Sequence, residues 1–479
     1  MGVTINIKDN DSPKVKSFRL KKGKEKSQKK KSWIFYPLSI ILIGIIGTTL
    51  YFGYKGYKVG KDIGFNFSPG KLIEKKKDPE LKKDSTGIYT NVLLVGVDTR
   101  DNTKLLNTDV IIVASYNHQT RDIVMISIPR DFYAQVNPDR VAFSKINSAY
   151  SINERKKEGN GLVVLEEIVE EIVGLEIQYH AMINFKGFVD LIDSVGGVYV
   201  NVENSFTDYK YPLGNSYQKI SFIAGPQLMD GETALKYARS RHSQQNGEGS
   251  DYARARRQQK LIDAFMDKLL STETLLNPTK LMSLLSSVQN NLTVSEFSLE
   301  DVQAGINILK SLNSEDSTFN TYSFVLDPTI GNYTLITSKV EVGTYGIGPK
   351  EGLGKYTKIN EYFKLAQAYP PLYSEKPSIY TYDIGLGKQN ATTKTQELQK
   401  KFKYLSIRFQ GTKLTDKEGI YIYSNSTDKF TSSVAMLSEY LNTNNITKPE
   451  YLTTNTSGDI SILFGKEIVV EEITQPVTE

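Results

Sequence analysis

The stretch NVLLVGVDTR, residues 91–100, sets the frame for everything around it. Residues 91–97 form a nearly continuous apolar run, as a strand buried on both faces requires, and the run ends in Asp98 and Arg100. DVIIVASY (109–116) and DIVMISI (122–128) repeat the pattern on either side of the polar loop NHQTR, which predicts a hairpin. LVVLEEIVEEIVG (162–174) then carries apolar residues at 165, 168, 169, 172 and 173, helical spacing closed by Gly174. HAMINF, KGFVDLIDSVGG, VYVNV, MDGETALKYAR and SDYARARRQQKLIDAFMDKLL follow as strand, helix, strand, helix and helix. Strands alternating with helices predict a layered α/β/α domain over 88–272.

Residues 273–370 read as a mixed extension of that domain, with helical stretches such as SLEDVQAGINILKSL. YPPLYSEKPS (369–378) reads as a Pro-rich junction. Beyond it, 378–466 alternates strand, helix, strand, helix, strand, which predicts a second, smaller α/β domain, and 467–479 is a tail. Two or three domains suit a chain of 479 residues.

Toward the N-terminus the character changes. Residues 1–32 hold eleven Lys/Arg and three Asp/Glu, a net of +8, so the rest of a chain of net charge +5 carries −3. Trp33–Tyr54 contains no charged residue over 22 positions. As a helix it would span about 33 Å, enough to cross a bilayer, and it is longer than a cleavable signal's apolar core. The 19 residues before it carry ten Lys/Arg and the 19 after it carry four. This asymmetry predicts an uncleaved anchor, a cytoplasmic N-terminus and everything after residue 54 outside the cell membrane. Residues 55–87 read as a linker or stalk. The basic tail is then a topogenic, lipid-facing segment, and nucleic acid is not expected as a partner. With no cysteine and only three histidines, disulfides, zinc–thiolate sites, cysteine nucleophiles and a His-rich metal centre are excluded.

One helix carries charge where it should be apolar. In DYARARRQQKLIDAF (251–265), Asp251, Arg254 and Gln258 lie near one stripe, which continues into Leu261, Ile262, Phe265 and Leu269. Arg256, Lys260, Asp263 and Asp267 fall on the opposite stripe, where solvated charges belong. Burying an unpaired charge costs several kcal/mol, so the first face must meet either protein partners or a charged ligand. Other charges gather at element ends: Asp98 and Arg100 after the first strand, Asp109 before the second, Arg130 and Asp131 after the third, Lys145, and Arg239 and Arg241 where a helix gives way to a polar loop. Ligands in α/β folds bind at such ends. Two carboxylates with a water shell suit Mg²⁺, with Mn²⁺ as the alternative, and guanidinium forks suit phosphate. The combination points to a metal-bound diphosphate. No GxSxG, Walker A or strand-linked GxGxxG motif is present.

LLVGVDTR, NTDVIIVASYN, MISIPRD, KINSAY, FVDLIDSVGGVYVNV, MDGETALKYARSR and DYARARRQQ, in this order and spacing, resemble the LytR-CpsA-Psr family. GIYIYSN, SSVAMLSEYL and DISILFG are similar, more loosely, to the LytR C-terminal accessory domain. The resemblance implies a membrane-anchored, Mg²⁺-dependent phosphotransferase. Such an enzyme moves a glycopolymer (teichoic acid, capsule or another wall glycan) from a polyprenyl-diphosphate carrier onto peptidoglycan through a phosphodiester. It implies that Asp98 and Asp109 hold the metal, and that Arg130, Arg239, Arg241, Arg254 and Gln258 bind phosphate, with Arg100 and Lys145 nearby. Asp251 orients the arginines, and Asp131 is the candidate base. A slot for the polyprenyl tail is expected along helices 162–174 and 186–195. The loop HSQQNGEGS between Arg241 and Asp251 is longer than the family pattern, which puts the relative placement of those two groups in question. A phosphatase on the same carrier and a non-catalytic wall-binding or regulatory protein are the alternative readings.

Overall fold

The computed structural model describes residues 79–466, apart from 99–106, 141, 215, 270–290, 296–298, 313–319, 329–333, 339, 341–345 and 427–428. The basic tail, the apolar run 33–54, most of the stalk, Arg100 and the C-terminal tail lie outside the described residues. Among the described residues, no helix is long and apolar enough to cross a membrane.

The chain begins with β1 (Tyr89–Asp98), β2 (Asn107–Asn117) and β3 (Ile123–Ser127), then β4 (Tyr133–Gln135), β5 (Phe143–Lys145), α1 (Ala149–Lys156) and α2 (Gly161–Val173). Next come β6 (Tyr179–Asn184), α3 (Phe185–Ser194), β7 (Val198–Val202), β8 (Phe206–Leu213), β9 (Ser216–Phe222) and β10 (Gly225–Met229). Helices α4 (Gly231–Arg239) and α5 (Asp251–Leu269) follow, then β11 (Leu292–Val294), α6 (Leu299–Leu312), β12 (Thr321–Val325), and the short pair β13 (Ile336–Thr337) and β14 (Gly348–Pro349). The C-terminal part is α7 (Thr357–Ala368), α8 (Pro370–Glu375), β15 (Ser378–Asp383), α9 (Lys388–Lys401), β16 (Ser406–Thr412), β17 (Ile420–Ser424), α10 (Thr431–Tyr440) and β18 (Ile460–Phe464).

The main sheet has the order β11-β6-β1-β2-β3-β12. It is mixed: β1 runs antiparallel to β2 and parallel to β6, and β12 runs parallel to β3. Its central strands are apolar throughout because both faces are covered. Leu93, Val95, Val113 and Ile126 face a core shared with α2 and α7. Val92, Leu94, Ile112 and Met125 face a second core shared with α3, α4 and α5. Residues beyond 272 complete this sheet, since β11 and β12 are its two edges.

The helices stop and start where local chemistry directs. Gly174 closes α2 in the left-handed region at φ 72°, which a glycine adopts without strain. Asp230 caps α4 by accepting from the Thr233 amide at 2.8 Å. At Gly231 a Cβ would lie 2.4 Å from the Val189 carbonyl oxygen, so only glycine lets α4 approach α3 this closely.

The Pro-rich stretch at 369–378 is not an exposed connection. Pro370 and Pro371 open α8 from its first turn, where a missing N–H does no harm, and both are buried. The first core continues through Phe363, Leu372 and Tyr373 into Ile379, Leu398 and Ile460. Those last residues belong to a four-stranded sheet ordered β16-β15-β18-β17 and its helix α9. The Tyr373 hydroxyl donates to the Lys403 carbonyl at 2.7 Å, and the Ser433 amide to Glu375 at 3.1 Å.

Candidate phosphate and lipid site

The site begins with a defect in the central ladder. Gly96 pairs with Val110 and Val97 with Thr108, so Asp109 is the extra residue of a bulge. Bulges re-aim side chains, and this one turns Asp109 onto Arg130, Nη1 to Oδ1 at 2.6 Å. Burial pulls the Arg130 guanidinium down, but Asp109 and Asp131 outweigh it and hold it above its ordinary value. Arg130 Nε, 3.9 Å from Asp131, is buried without a hydrogen-bond partner.

Arg130, Arg239, Arg241 and Arg254 converge on one cavity of about 180 Å³, together with Asp109, His242 and Gln258. Helix α4 ends at Arg239, and this ending lets residues two apart line the same space. Arg239 is clamped: Nη2 lies 3.5 Å from Asp98 Oδ2, the guanidinium sits 4.2 Å from the Phe185 ring centre, and Nη1 donates to the Tyr211 hydroxyl at 3.4 Å. Arg254 is 5% exposed and meets Asp251 at 3.0 Å. Burial holds it below its ordinary value, with Asp251 pulling the other way. An arginine remains charged under these conditions, so the depression measures how poorly solvated the cation is.

Helix α5 answers the question its sequence raised. Arg254, Gln258, Leu261, Ile262 and Phe265 all line the cavity, so one helix face runs from charged to apolar along a single wall. Leu94, Ile112 and Ala181 of the sheet and Phe188, Leu191 and Ile192 of α3 form the opposite apolar walls. The stretch 186–195 thus contributes an apolar wall of the cavity. The stretch 162–174 does not: as α2 it packs in the core on the other face of the sheet.

Several expected site residues stand one step back. Asp98 and Asp251 do not line the cavity, but each holds an arginine that does. Asp131 and Lys145 are also outside the lining and pair with each other at 2.9 Å. Asp131 is therefore placed to position Arg130, not to take a proton inside the cavity. On the opposite stripe of α5, Arg256 and Asp267 are exposed as expected. Asp263 is not: its Oδ1 is buried without a partner, and burial, with Asp267 four residues on, pushes its carboxyl up to about 7.

One positioning residue, Asp208, escaped the sequence reading, and Arg257, which lies between the two stripes of α5, acts beside it. Asp208 of β8 is fully buried and accepts from Ser240 Oγ at 2.8 Å and from the Arg241 and His242 amides at 3.1 Å each. Arg257 donates to the carbonyls of Tyr237 (2.9 Å) and Ser240, and to Glu248 at 2.5 Å. Together they tie the long loop 242–250 to the end of α4, which keeps Arg241 and Arg254 on one cavity despite the added length.

Asp98 and Asp109 suit Mg²⁺ only in one sense. Two carboxylates, each already serving an arginine with one oxygen, are the minimal protein share for a cation that takes its other ligands from water and substrate phosphates. Among the described residues there is no cluster of three acidic or histidine side chains that would cage a metal alone.

A curated relative from Bacillus cereus, polyisoprenyl-teichoic acid–peptidoglycan teichoic acid transferase TagU, is 30% identical over 291 residues, covering 60% of this chain and 87% of the relative. The TagU of Bacillus licheniformis is 28% identical over 282 residues, 59% of this chain and 84% of the relative. Biofilm regulatory protein A of Streptococcus mutans is 26% identical over 364 residues, 71% of this chain and 80% of the relative. Among solved structures, Bacillus subtilis TagV aligns with a TM-score of 0.43 at 22% identity, covering 59% of this chain and 98% of that one. The LytR_cpsA_psr family model matches residues 52–339, which takes in β1 to β12 and all four cavity arginines, and the chain belongs to that family.

Proposed function

We propose that this protein transfers an anionic glycopolymer from a polyprenyl-diphosphate carrier to a sugar hydroxyl of peptidoglycan, forming a phosphodiester outside the cell membrane. The observation that carries this is the single wall of α5, cationic at Arg254 and apolar at Phe265. A polyprenyl diphosphate has the same polarity along its length. Asp109, Asp98 and Asp251 pair with three of the four guanidinium groups, which leaves Arg241 and the remaining N–H donors of the other three for phosphate oxygens. The relatives named as teichoic acid transferases support the same substrate class.

The chemistry asks for positioning and charge neutralisation more than for covalent help from the protein. The acceptor hydroxyl oxygen attacks the phosphorus on the sugar side of the diphosphate. The bridging P–O bond breaks, polyprenyl phosphate leaves, and the hydroxyl proton goes to solvent. Arg130 and Arg254, both pre-aimed by acids, hold the phosphate oxygens where charge develops. Arg239, stacked on Phe185, and Arg241, fixed by Asp208 through its backbone, hold the leaving phosphate. Gln258 adds a neutral donor between the charged and apolar parts of the wall. Mg²⁺, when bound at Asp98 and Asp109, would supply further charge neutralisation at the diphosphate. The apolar walls would keep the hydrocarbon out of water.

The test is product analysis with a radiolabelled carrier and glycan strands. Polymer bound to glycan is expected, with Arg130→Ala slowing transfer by roughly 10²–10³-fold, the usual loss for one preorganised donor. Free polymer phosphate as the main product would mark a phosphatase. Unchanged polymer attachment in a folded Arg130→Ala protein would mark a non-catalytic role.

A further inference from the structure

The surface beside the cavity carries side chains that water does not reward. Of the ten large hydrophobic residues that are exposed among the described residues, six fall between Tyr199 and Leu228. The β8–β9 hairpin holds three of them: Tyr209, Leu213 and Tyr217, at 64%, 56% and 66% exposure. The hairpin does not need them for its own packing. Its root is fixed by Phe206, Phe222 and Tyr211, all buried, with Phe206 and Phe222 in the core that holds α3, α4 and α5. A register shift between Asp208 and Tyr211 brings Tyr209 and Lys210 to the surface together.

Charge is one-sided here. Over the hairpin itself, Phe206–Phe222, the only acid is Asp208, and it is fully buried; the exposed Glu203 precedes the hairpin and pairs with Lys260. Lys210 and Lys219 remain, and Lys219 Nζ lies 5.5 Å from the Tyr209 ring centre. Tyrosines, a leucine and snorkelling lysines are the composition of a membrane interface. The hairpin also borders the cavity directly: Pro212 lines it, and Tyr217 faces Pro212 across the ladder.

We infer that the β8–β9 hairpin is a docking surface for an anionic phospholipid bilayer, seating the cavity against the leaflet that holds the carrier. The chain itself argues for this occupant. The uncharged run ends at Tyr54, and the chain re-enters the described fold at Pro79, with Leu81 packed in the same core as the hairpin's root. The 24 residues between them can reach at most about 80 Å, so a bilayer that held the run would be within range of the hairpin. The inference deepens the reading of a lipid-linked substrate and rests on it for its purpose, but its test needs no substrate.

The chain has no cysteine, so single cysteines can carry an environment-sensitive dye. Leu213→Cys, Tyr217→Cys and, as a reference on the C-terminal sheet region, Ile446→Cys are labelled in the full chain. Each is reconstituted into vesicles of phosphatidylglycerol and phosphatidylcholine in equal parts. The dyes at 213 and 217 should shift to the blue, lose intensity to nitroxide-bearing lipid and resist iodide, while the dye at 446 stays open to iodide. The inference fails if either hairpin dye is as open to iodide as the one at 446. It fails equally if the blue shift follows protein concentration without vesicles, which would mark a second copy as the occupant. Transfer activity that persists alongside a water-exposed hairpin would remove the docking surface and leave the proposed function standing.

Discussion

Each arginine of the cavity is held by its own acid: Arg130 by Asp109, Arg239 by Asp98, Arg254 by Asp251, and Arg241 through its backbone by Asp208. Three of the four cations are thus matched by a carboxylate in the absence of substrate, while Asp208 fixes only the backbone of Arg241. Asp263 is the contrasting case, a carboxyl on the same helix whose buried oxygen has no partner. Its native-state value of about 7 lies above the ordinary 3.8. Between these values the folded protein holds a proton that the unfolded chain has lost, so stability is full at low pH and declines as pH rises through 7. Asp263→Asn should therefore be neutral near pH 4 and stabilising by roughly 1–2 kcal/mol at pH 8, flattening the decline. Thermal melts across that range check it, and an unchanged slope would contradict it. Asp251, Arg254 and Gln258 were legible in the sequence because helical periodicity puts them on an apolar stripe. Asp208 was not, because the groups by which it holds the end of α4 lie more than thirty residues away and nothing local marks a strand aspartate as buried.

At the scale of elements, α5 is the informative one, since its face changes character along its length. Filling the apolar end should separate the two ligand parts. Ala181, on β6, lines the cavity, so Ala181→Phe should weaken binding of a polyprenyl diphosphate while leaving inorganic diphosphate binding intact. Titration calorimetry with both ligands reads this, with a thermal melt to confirm folding, and an equal loss for both would count against a divided cavity. The sequence identified α2 and α3 alike as helices, and both are. It could not say which face of the sheet each would cover, because that depends on chain crossings, not on the helix itself. Hence only α3 reaches the slot. The prolines of α8 misled for a related reason: Pro370 and Pro371 break a helix interior but are well tolerated in a first turn.

Across the whole molecule, one core runs from the main sheet through α7 and α8 into the C-terminal sheet. The alternation of strands and helices made both sheets legible, but not the shared core, because contacts such as Tyr362 with Tyr404 join segments that are adjacent only in three dimensions. A shared core of this kind implies coupled unfolding, so calorimetry should show a single transition, and two well-separated ones would mean the sheets fold independently. The same scale holds the central claim, that a polar-to-apolar cavity between the sheet and α3, α4 and α5 receives a lipid diphosphate. The most direct test is a crystal structure with a polyprenyl diphosphate and Mg²⁺. The account expects the phosphates within hydrogen-bond reach of Arg130 and Arg254 and the hydrocarbon between Phe188 and Phe265. Phosphates bound elsewhere, or a tail lying outside that slot, would contradict it.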